Sequence, residues 1–204
     1  MKTIVIALRA TIVTLILTGI VYPLAMTGAA QALFSKAANG SLVVDGTGKV
    51  RGSALIGQTF TNPAYFQGRP SAAGNGYDAT ASSGSNLGPT SAKLRDRVKA
   101  DVARLQKENP EMPGLIPAEL VTASASGLDP HVSPSSAAWQ IARVARARNV
   151  SPERVRALVD DKTEGRTLGF LGEPRVNVLL LNQALDRQFG ALPAPPPAPA
   201  HHDR

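Results

Sequence analysis

Residues 10–35, ATIVTLILTGIVYPLAMTGAAQALFS, run for 26 positions without a formal charge. Their apolar heart is Ile12, Val13, Leu15, Ile16, Leu17, Ile20, Val21, Leu24, Ala25 and Met26. A hydrocarbon core of roughly 30 Å takes ~20 helical residues to cross, so the stretch is long enough to span a bilayer. Thr11, Thr14 and Thr18 can bond their hydroxyls back to the helix, Gly19 and Pro23 are tolerated in membrane helices, and Tyr22 suits an interface or a neighbouring helix. A cleavable export signal competes with this reading. Lys2 and Arg9 make a basic start, and Ala30-Gln31-Ala32 is a small-x-small site. The run exceeds the usual signal core of ~7–15 residues, which favours a retained anchor over about residues 10–32. Nearby charge is similar on the two sides, so the default orientation is N-in, C-out. On either reading the body of the protein lies outside the cytoplasm. The alternative is an exported soluble binding module cleaved after Ala32.

Working outward, the 204 residues provide one anchor and one domain of ordinary size, too few for a polytopic transporter. One Trp, three Tyr and five Phe leave the core to Ala, Val, Leu and Ile. Lys and Arg number 22 against 15 acids, a net +7 that suits an anionic membrane surface or acidic partners as well as nucleic acid. Without cysteine there is no disulfide, thiol nucleophile or thiolate metal site.

Residues 37–90 hold five charges and ten of the 18 glycines, which predicts short strands and ordered loops. Strands are expected at Ser41–Val44 and Ala54–Ile56, with a turn at Asp45-Gly46. By composition alone, residues 71–88 read as a linker. From residue 91 the pattern becomes helical. Leu94, Val98, Val102 and Leu105 share a face that Asn109-Pro110 ends. Leu120–Ala123 reads as a short strand. Ser133-Pro134 and Ser151-Pro152 read as helix starts. Pro174 opens a segment in which Leu181, Leu185 and Phe189 recur every four residues, and residues 191–204 are a Pro/Ala-rich disordered tail. The fold class is α+β: a single N-terminal transmembrane helix (residues 1–35 with its tip), then one compact extracytoplasmic domain (36–190) with a small sheet and several helices.

Chemistry is sparse. Of three histidines, His131 alone lies in the domain body, beside Asp129, and no G-x-S-x-G elbow surrounds a serine. Asp129-Pro130-His131 reads as a turn before a helix, and these two ligands lack a third for metal. Residues 74–79 match G-x-G-x-x-[GA] by letters only, and Asp161–Gly165 echoes a P-type phosphorylation motif with its fourth and fifth residues wrong. Arg143, Arg146, Arg148, Arg154 and Arg156 read as a solvated helix face paired with Glu153, Asp160 and Asp161; aromatic stacking partners for nucleic acid are missing. No catalytic residue, metal site or nucleic-acid partner is predicted.

Several strings are far more specific. Arg51–Gln58 (RGSALIGQ) is followed by Tyr65–Ala72 (YFQGRPSA), Ser85–Gly88 (SNLG), Leu120–Asp129 (LVTASASGLD), Ala138–Ala145 (AWQIARVA) and Val176–Asn182 (VNVLLLN). In this order behind one span, residues 5–188 resemble the C-subunit family of the Kdp potassium-transporting ATPase. The resemblance implies a noncatalytic subunit of a bacterial inner-membrane complex for ATP-driven, high-affinity potassium uptake. Its partners would be a channel-like subunit that carries potassium and a P-type ATPase subunit, with the lipid bilayer around the anchor. It further implies a catalytic chaperone that raises the ATP affinity of the ATPase subunit; ATP enters by resemblance only, and no cofactor is expected to bind tightly. It also turns residues 71–88 into an ordered surface. Candidate partner contacts are Thr11, Thr14, Thr18 and Gly19 on the anchor, and Tyr65, Arg69, Ser83, Ser85, Asn86, Ser124, Ser126 and Asp129 on the domain. Gln140 is the weaker, nucleotide-related candidate.

Overall fold

The computed structural model describes residues 1–112 and 114–192; the expectations for most of the Pro/Ala tail, with His201 and His202, lie outside them. The N-terminal stretch is one long helical rod, α1 (Lys2–Ile16), a π-helical turn (Leu17–Val21) and α2 (Tyr22–Ala38). Among the described residues it is the helix long and apolar enough to cross a membrane, and it fits a single-pass membrane protein. The π turn has a local cause. Pro23 has no N–H for the Gly19 carbonyl and its ring crowds that carbonyl, so the turn before it widens. Phe34 leaves helical geometry (φ −138°, ψ 42°) and kinks the rod.

The domain has two small sheets. β1 (Leu42–Val44) and β2 (Val50–Ser53) form an antiparallel hairpin. The second sheet has the order β3 (His131–Val132), β5 (Arg175–Asn177), β4 (Thr163–Glu164), all antiparallel. The expected strand at Ala54–Ile56 therefore lies earlier. Asp45 sets this register: its carboxylate accepts from Thr47 N and Lys49 N and pairs with Arg51, closing a short turn before Val50. Ser53 then turns the chain, its hydroxyl accepting from Leu55 N.

Four helices complete the domain: α3 (Ala92–Glu108), α4 (Pro134–Arg148), α5 (Pro152–Asp161) and α6 (Val178–Phe189). Ser91 caps α3 through Leu94 N and Ser133 caps α4 through Ser136 N. Pro174 opens β5 rather than a helix; α6 starts later, where the Asn177 side chain accepts from Leu180 N. Leu120–Ala123 is not a strand. A 3₁₀ turn (Ala118–Leu120) is closed by Thr122 Oγ1 donating to Ala118 O, and Leu120 and Val121 plug into the core from it. His131 lies in β3, not in a turn. The core gathers Ile141, Val144, Val155, Val159, Leu181 and Leu185 from the last three helices, Val132 and Val176 from the sheet, and Phe66.

Candidate functional site

Between β2 and α3 the chain has one short 3₁₀ turn (Ala79–Ala81), yet Ala64, Phe66 and Ala73 are buried. Buried backbone must be hydrogen-bonded, and here distant side chains do it. Asn182 of α6 accepts from Phe66 N (2.8 Å) and donates to Phe66 O (2.9 Å). Gln140 of α4 treats Gln67 the same way (2.9 and 3.1 Å). Arg143 donates to Pro63 O, Tyr65 O, Asn109 Oδ1 and Gln140 Oε1. Arg148 donates to Ala64 O and Asp186, and stacks over Tyr65, whose hydroxyl also donates to Asp186. Burial lowers the Arg143 pKa to about 10, so the guanidinium stays charged at neutral pH. Among the described residues no carboxylate is hydrogen-bonded to it. Its charge is stabilised by carbonyl oxygens of the loop it holds and, at longer range, by the Glu108 carboxylate.

The arginine cluster is thus divided: Arg146, Arg154 and Arg156 are exposed as a solvated face requires, whereas Arg143 and the side chain of Arg148 are turned inward. Arg143 is 2% exposed, Arg146 pairs with Glu111, Arg148 with Asp186, and Arg154 stacks on Phe189. Glu153, Asp160 and Asp161 make no ion pair with the cluster among the described residues.

A second set of tethers joins residues 69–84 to residues 123–129. Arg69 Nη1 pairs with Asp129 (3.1 Å), Ser71 Oγ donates to Gly127 O (2.6 Å), and Ser83 N donates to Ser126 O (3.0 Å). Tyr77 lies behind this seam, its hydroxyl donating to Arg69 O at 2.6 Å. Burial, with Asp129 nearby, pushes its phenol up to about 12. Burial also raises the Asp129 carboxyl, but hydrogen bonds from His131 and Arg69 outweigh it and hold the pKa below the usual carboxylate value. Gly127 has φ +68°, and a Cβ there would meet Ala73 N and Ser83 O at 2.7 Å. Residues 71–88 are an ordered surface, not a slack linker.

Between the tethers and α3 lies an open cleft of about 510 Å³, lined by Phe60, Tyr77, Leu105 and Leu120 with Arg104 and Glu108 at its side. Its charges are paired internally, Arg104 with Glu108 (3.0 Å) and Asp101 (3.5 Å). Among the described residues no cluster of His, Asp and Glu is placed to hold a metal ion. Neither the cleft nor the seam brings a nucleophile to a base.

The interface candidates separate accordingly. Tyr65, Arg69 and Asp129 are engaged in the tethers, Ser124 is buried, and Ser126 Oγ accepts from Leu128 N. Ser83 and Asn86 are exposed, Asn86 at φ +50°, and Ser85 is half-buried; the side chains of Ser85 and Asn86 make no hydrogen bond among the described residues. Thr11, Thr14, Thr18 and Gly19 are exposed along the rod, with the Thr18 hydroxyl donating to Thr14 O at 2.7 Å. Gln140 is 1% exposed and both ends of its amide are occupied. Sequence reasoning missed Arg143, Arg148 and Asn182 as organisers. One signal was available: Ser136, Gln140 and Arg143 are spaced four and three apart, one polar stripe among the Ala, Trp, Ile and Val of α4.

The family model described as KdpC, K+-transporting ATPase, c chain, matches residues 4–187. The chain belongs to the KdpC family. The potassium-transporting ATPase KdpC subunit of Myxococcus xanthus is 67% identical over 187 residues, covering 92% of this chain and 89% of that one. The KdpC subunit of Koribacter versatilis is 55% identical over 196 residues, covering 96% and 98%. That of Caulobacter vibrioides is 57% identical over 177 residues, covering 87% and 89%. As a KdpC chain it is an accessory subunit in potassium transport and not the catalytic ATPase subunit. The family resemblance read from the quoted strings holds along nearly the whole chain.

Proposed function

We propose that this KdpC chain assembles and stabilises a high-affinity, ATP-driven potassium uptake complex, and raises the ATP affinity of the P-type subunit without touching ATP. In this reading the rod anchors the chain in the bacterial inner membrane, N-in, with the domain in the periplasm. The rod meets the channel-like subunit through Thr11, Thr14, Thr18 and Gly19, where small side chains permit close helix packing. The Ser83–Asn86 turn docks on that subunit's outer face, and potassium passes through the partner alone. The observation that carries the indirect role is the burial of Gln140 and Arg143, whose donors are already bonded to the 63–67 loop, to Asn109 and to each other. A phosphate group needs free donors. Coupling then rests on two states of the complex that this subunit binds differently.

The test compares complexes purified through a tag on the chain, carrying either the wild-type sequence or Ser85→Trp with Asn86→Trp. The double variant is expected to recover less of both partners, and the complex that survives should need more ATP for half-maximal hydrolysis. ATP binding by the isolated full-length chain, lost on Gln140→Ala in a protein that still folds, would overturn the indirect role.

A further inference from the structure

The rod does not enter the domain through a loose tether. Arg9 and Lys36 are 27 residues apart, about 40 Å of helix, close to the ~40–45 Å between the two headgroup layers. Lys36 therefore stands at the membrane surface when Arg9 stands at the other. Around the kink at Phe34 the amides of Gln31 and Asn39 bond each other in both directions (3.3 and 3.1 Å). Three more bonds staple the next segment to the helix end: Ser41 N to Lys36 O (2.9 Å), Ser53 Oγ to Gly40 O (2.7 Å) and Ala54 N to Ser41 O (3.0 Å). The β1–β2 hairpin is thus fixed to the rod where the rod leaves the bilayer.

One side of that hairpin is packed. Val43 is buried and Gln183 of α6 donates to Val44 O at 2.8 Å. The other side is bare and aliphatic: Leu42, Val44 and Val50 are 47%, 42% and 50% exposed, and Val44 and Val50 are register partners. Lys36, Lys49 and Arg51 face one acid nearby, Asp45, which is already bonded to Thr47 and Arg51. Residues 36–55 therefore carry three bases against one acid, a net +2.

We propose that the bare face of the β1–β2 hairpin lies on the bilayer beside the rod and recognises an anionic phospholipid surface. Leu42, Val44 and Val50 enter the boundary between headgroups and acyl chains, and Lys36 and Lys49 reach lipid phosphates. The proposal rests on the retained-anchor reading. Lipid is favoured over a protein partner by the short staple to the membrane helix, the basic balance, and a face of aliphatic side chains without the Trp or Tyr that centre protein interfaces.

The chain has no cysteine, so single spin labels can be placed without background. The full chain, carrying a label at Val44→Cys, Val50→Cys or Leu168→Cys, is reconstituted into vesicles of phosphatidylcholine with phosphatidylglycerol. Collision with oxygen is then compared with collision with a water-soluble nickel chelate. Labels at Val44 and Val50 should favour oxygen several-fold over the label at Leu168, and the preference should shrink in pure phosphatidylcholine and on Lys49→Glu. Equal water access at Val44 and Leu168 overturns the proposal. So does a Val44 label that is wet in vesicles and shielded only when the other subunits are bound. A preference indifferent to anionic lipid refutes the recognition of lipid phosphate. Intact mass separates the two readings: a chain shortened to begin near Leu33 refutes the anchor itself, whereas full mass with a wet label refutes only the hairpin contact.

Discussion

Residues 62–77 and residues 165–174 are both short of regular structure, and they are held in opposite ways. The first segment makes no strand, yet its backbone is bonded to Asn182, Gln140, Arg143 and Arg148, and Phe66 is wholly buried. The second closes the β4–β5 hairpin with a bridge between Thr167 and Leu171, and its ion pairs, Arg166–Glu173 and Arg175–Glu164, lie at the surface. Leu168 and Phe170 at its tip are 78% and 68% exposed. Local regularity therefore says little about how firmly a segment is held. What counts is whether its polar groups are bonded inside the core, where an unmade bond is costly, or beside water, where it is replaced.

Arg143→Ala strikes this contrast hardest. It removes the donors of the part-buried Pro63 and Tyr65 carbonyls and leaves the buried Asn109 and Gln140 short of a partner. We expect about 3–4 kcal/mol of lost stability, the cost of leaving several buried polar groups unpaired, read by denaturant unfolding of the full-length chain in detergent with Trp139, the one tryptophan, as probe. Arg143→Lys should recover less than half of it, because an ammonium cannot present the guanidinium's planar fork. Full stability of Arg143→Ala would mean that Phe66 and the bonds from Asn182, Gln140 and Arg148 hold the loop without it.

Gly127→Ala tests the second tether. The positive φ and the backbone atoms 2.7 Å from the new Cβ leave no relaxed position, so about 2–3 kcal/mol should be lost. The same variant should raise amide exchange at Ser83 and leave Phe66 protected. Loss of both protections together would show that the two tethers are one cooperative unit.

Asp129 gives a smaller effect with a definite sign. Its folded pKa is depressed, so its contribution is fully present above the unfolded value near 3.9 and fades as pH falls through the folded value. The pair with Arg69 is partly exposed and screened, so Asp129→Asn should cost about 1 kcal/mol at pH 7. Below pH 4 the wild type should converge on the variant. A difference that persists or grows in acid would assign the effect to the Asn side chain and not to the charge.

The N-terminal helix, α3, α4 and the phase of α6 were legible because each depends on residues within a few turns: an uncharged run, a period near 3.6, a Ser-Pro start. The 62–77 segment was not, since its partners lie far along the chain, Gln67 bonding Gln140 and Phe66 bonding Asn182. No local period reports such a bond. Arg143 misled for a related reason: arginine is seldom buried, and only its spacing from Ser136 and Gln140 placed it on the inner stripe. Leu120-Val121 had strand composition, but Pro117 and the Thr122 hydroxyl close a turn there. The candidate surface at Ser83, Ser85 and Asn86 rests on family resemblance alone, because these residues carry no chemistry that spacing can reveal.

The smallest effect falls on the tip of the β4–β5 hairpin. Phe170→Ser removes the largest apolar group at the tip, but that group is mostly in water already, so little burial is lost on unfolding. We expect unfolding of the isolated chain to shift by no more than about 0.5 kcal/mol, while Arg143→Ala shifts by several times as much. If Phe170→Ser is costly in the chain alone, the tip packs where the structure shows it bare. If it is silent in the chain alone and lowers recovery of the partner subunits, the tip is a contact of the assembly. The contrast between the two segments would then be one of timing: residues 62–77 find their partners during folding of the domain, and residues 165–174 find theirs only in the complex.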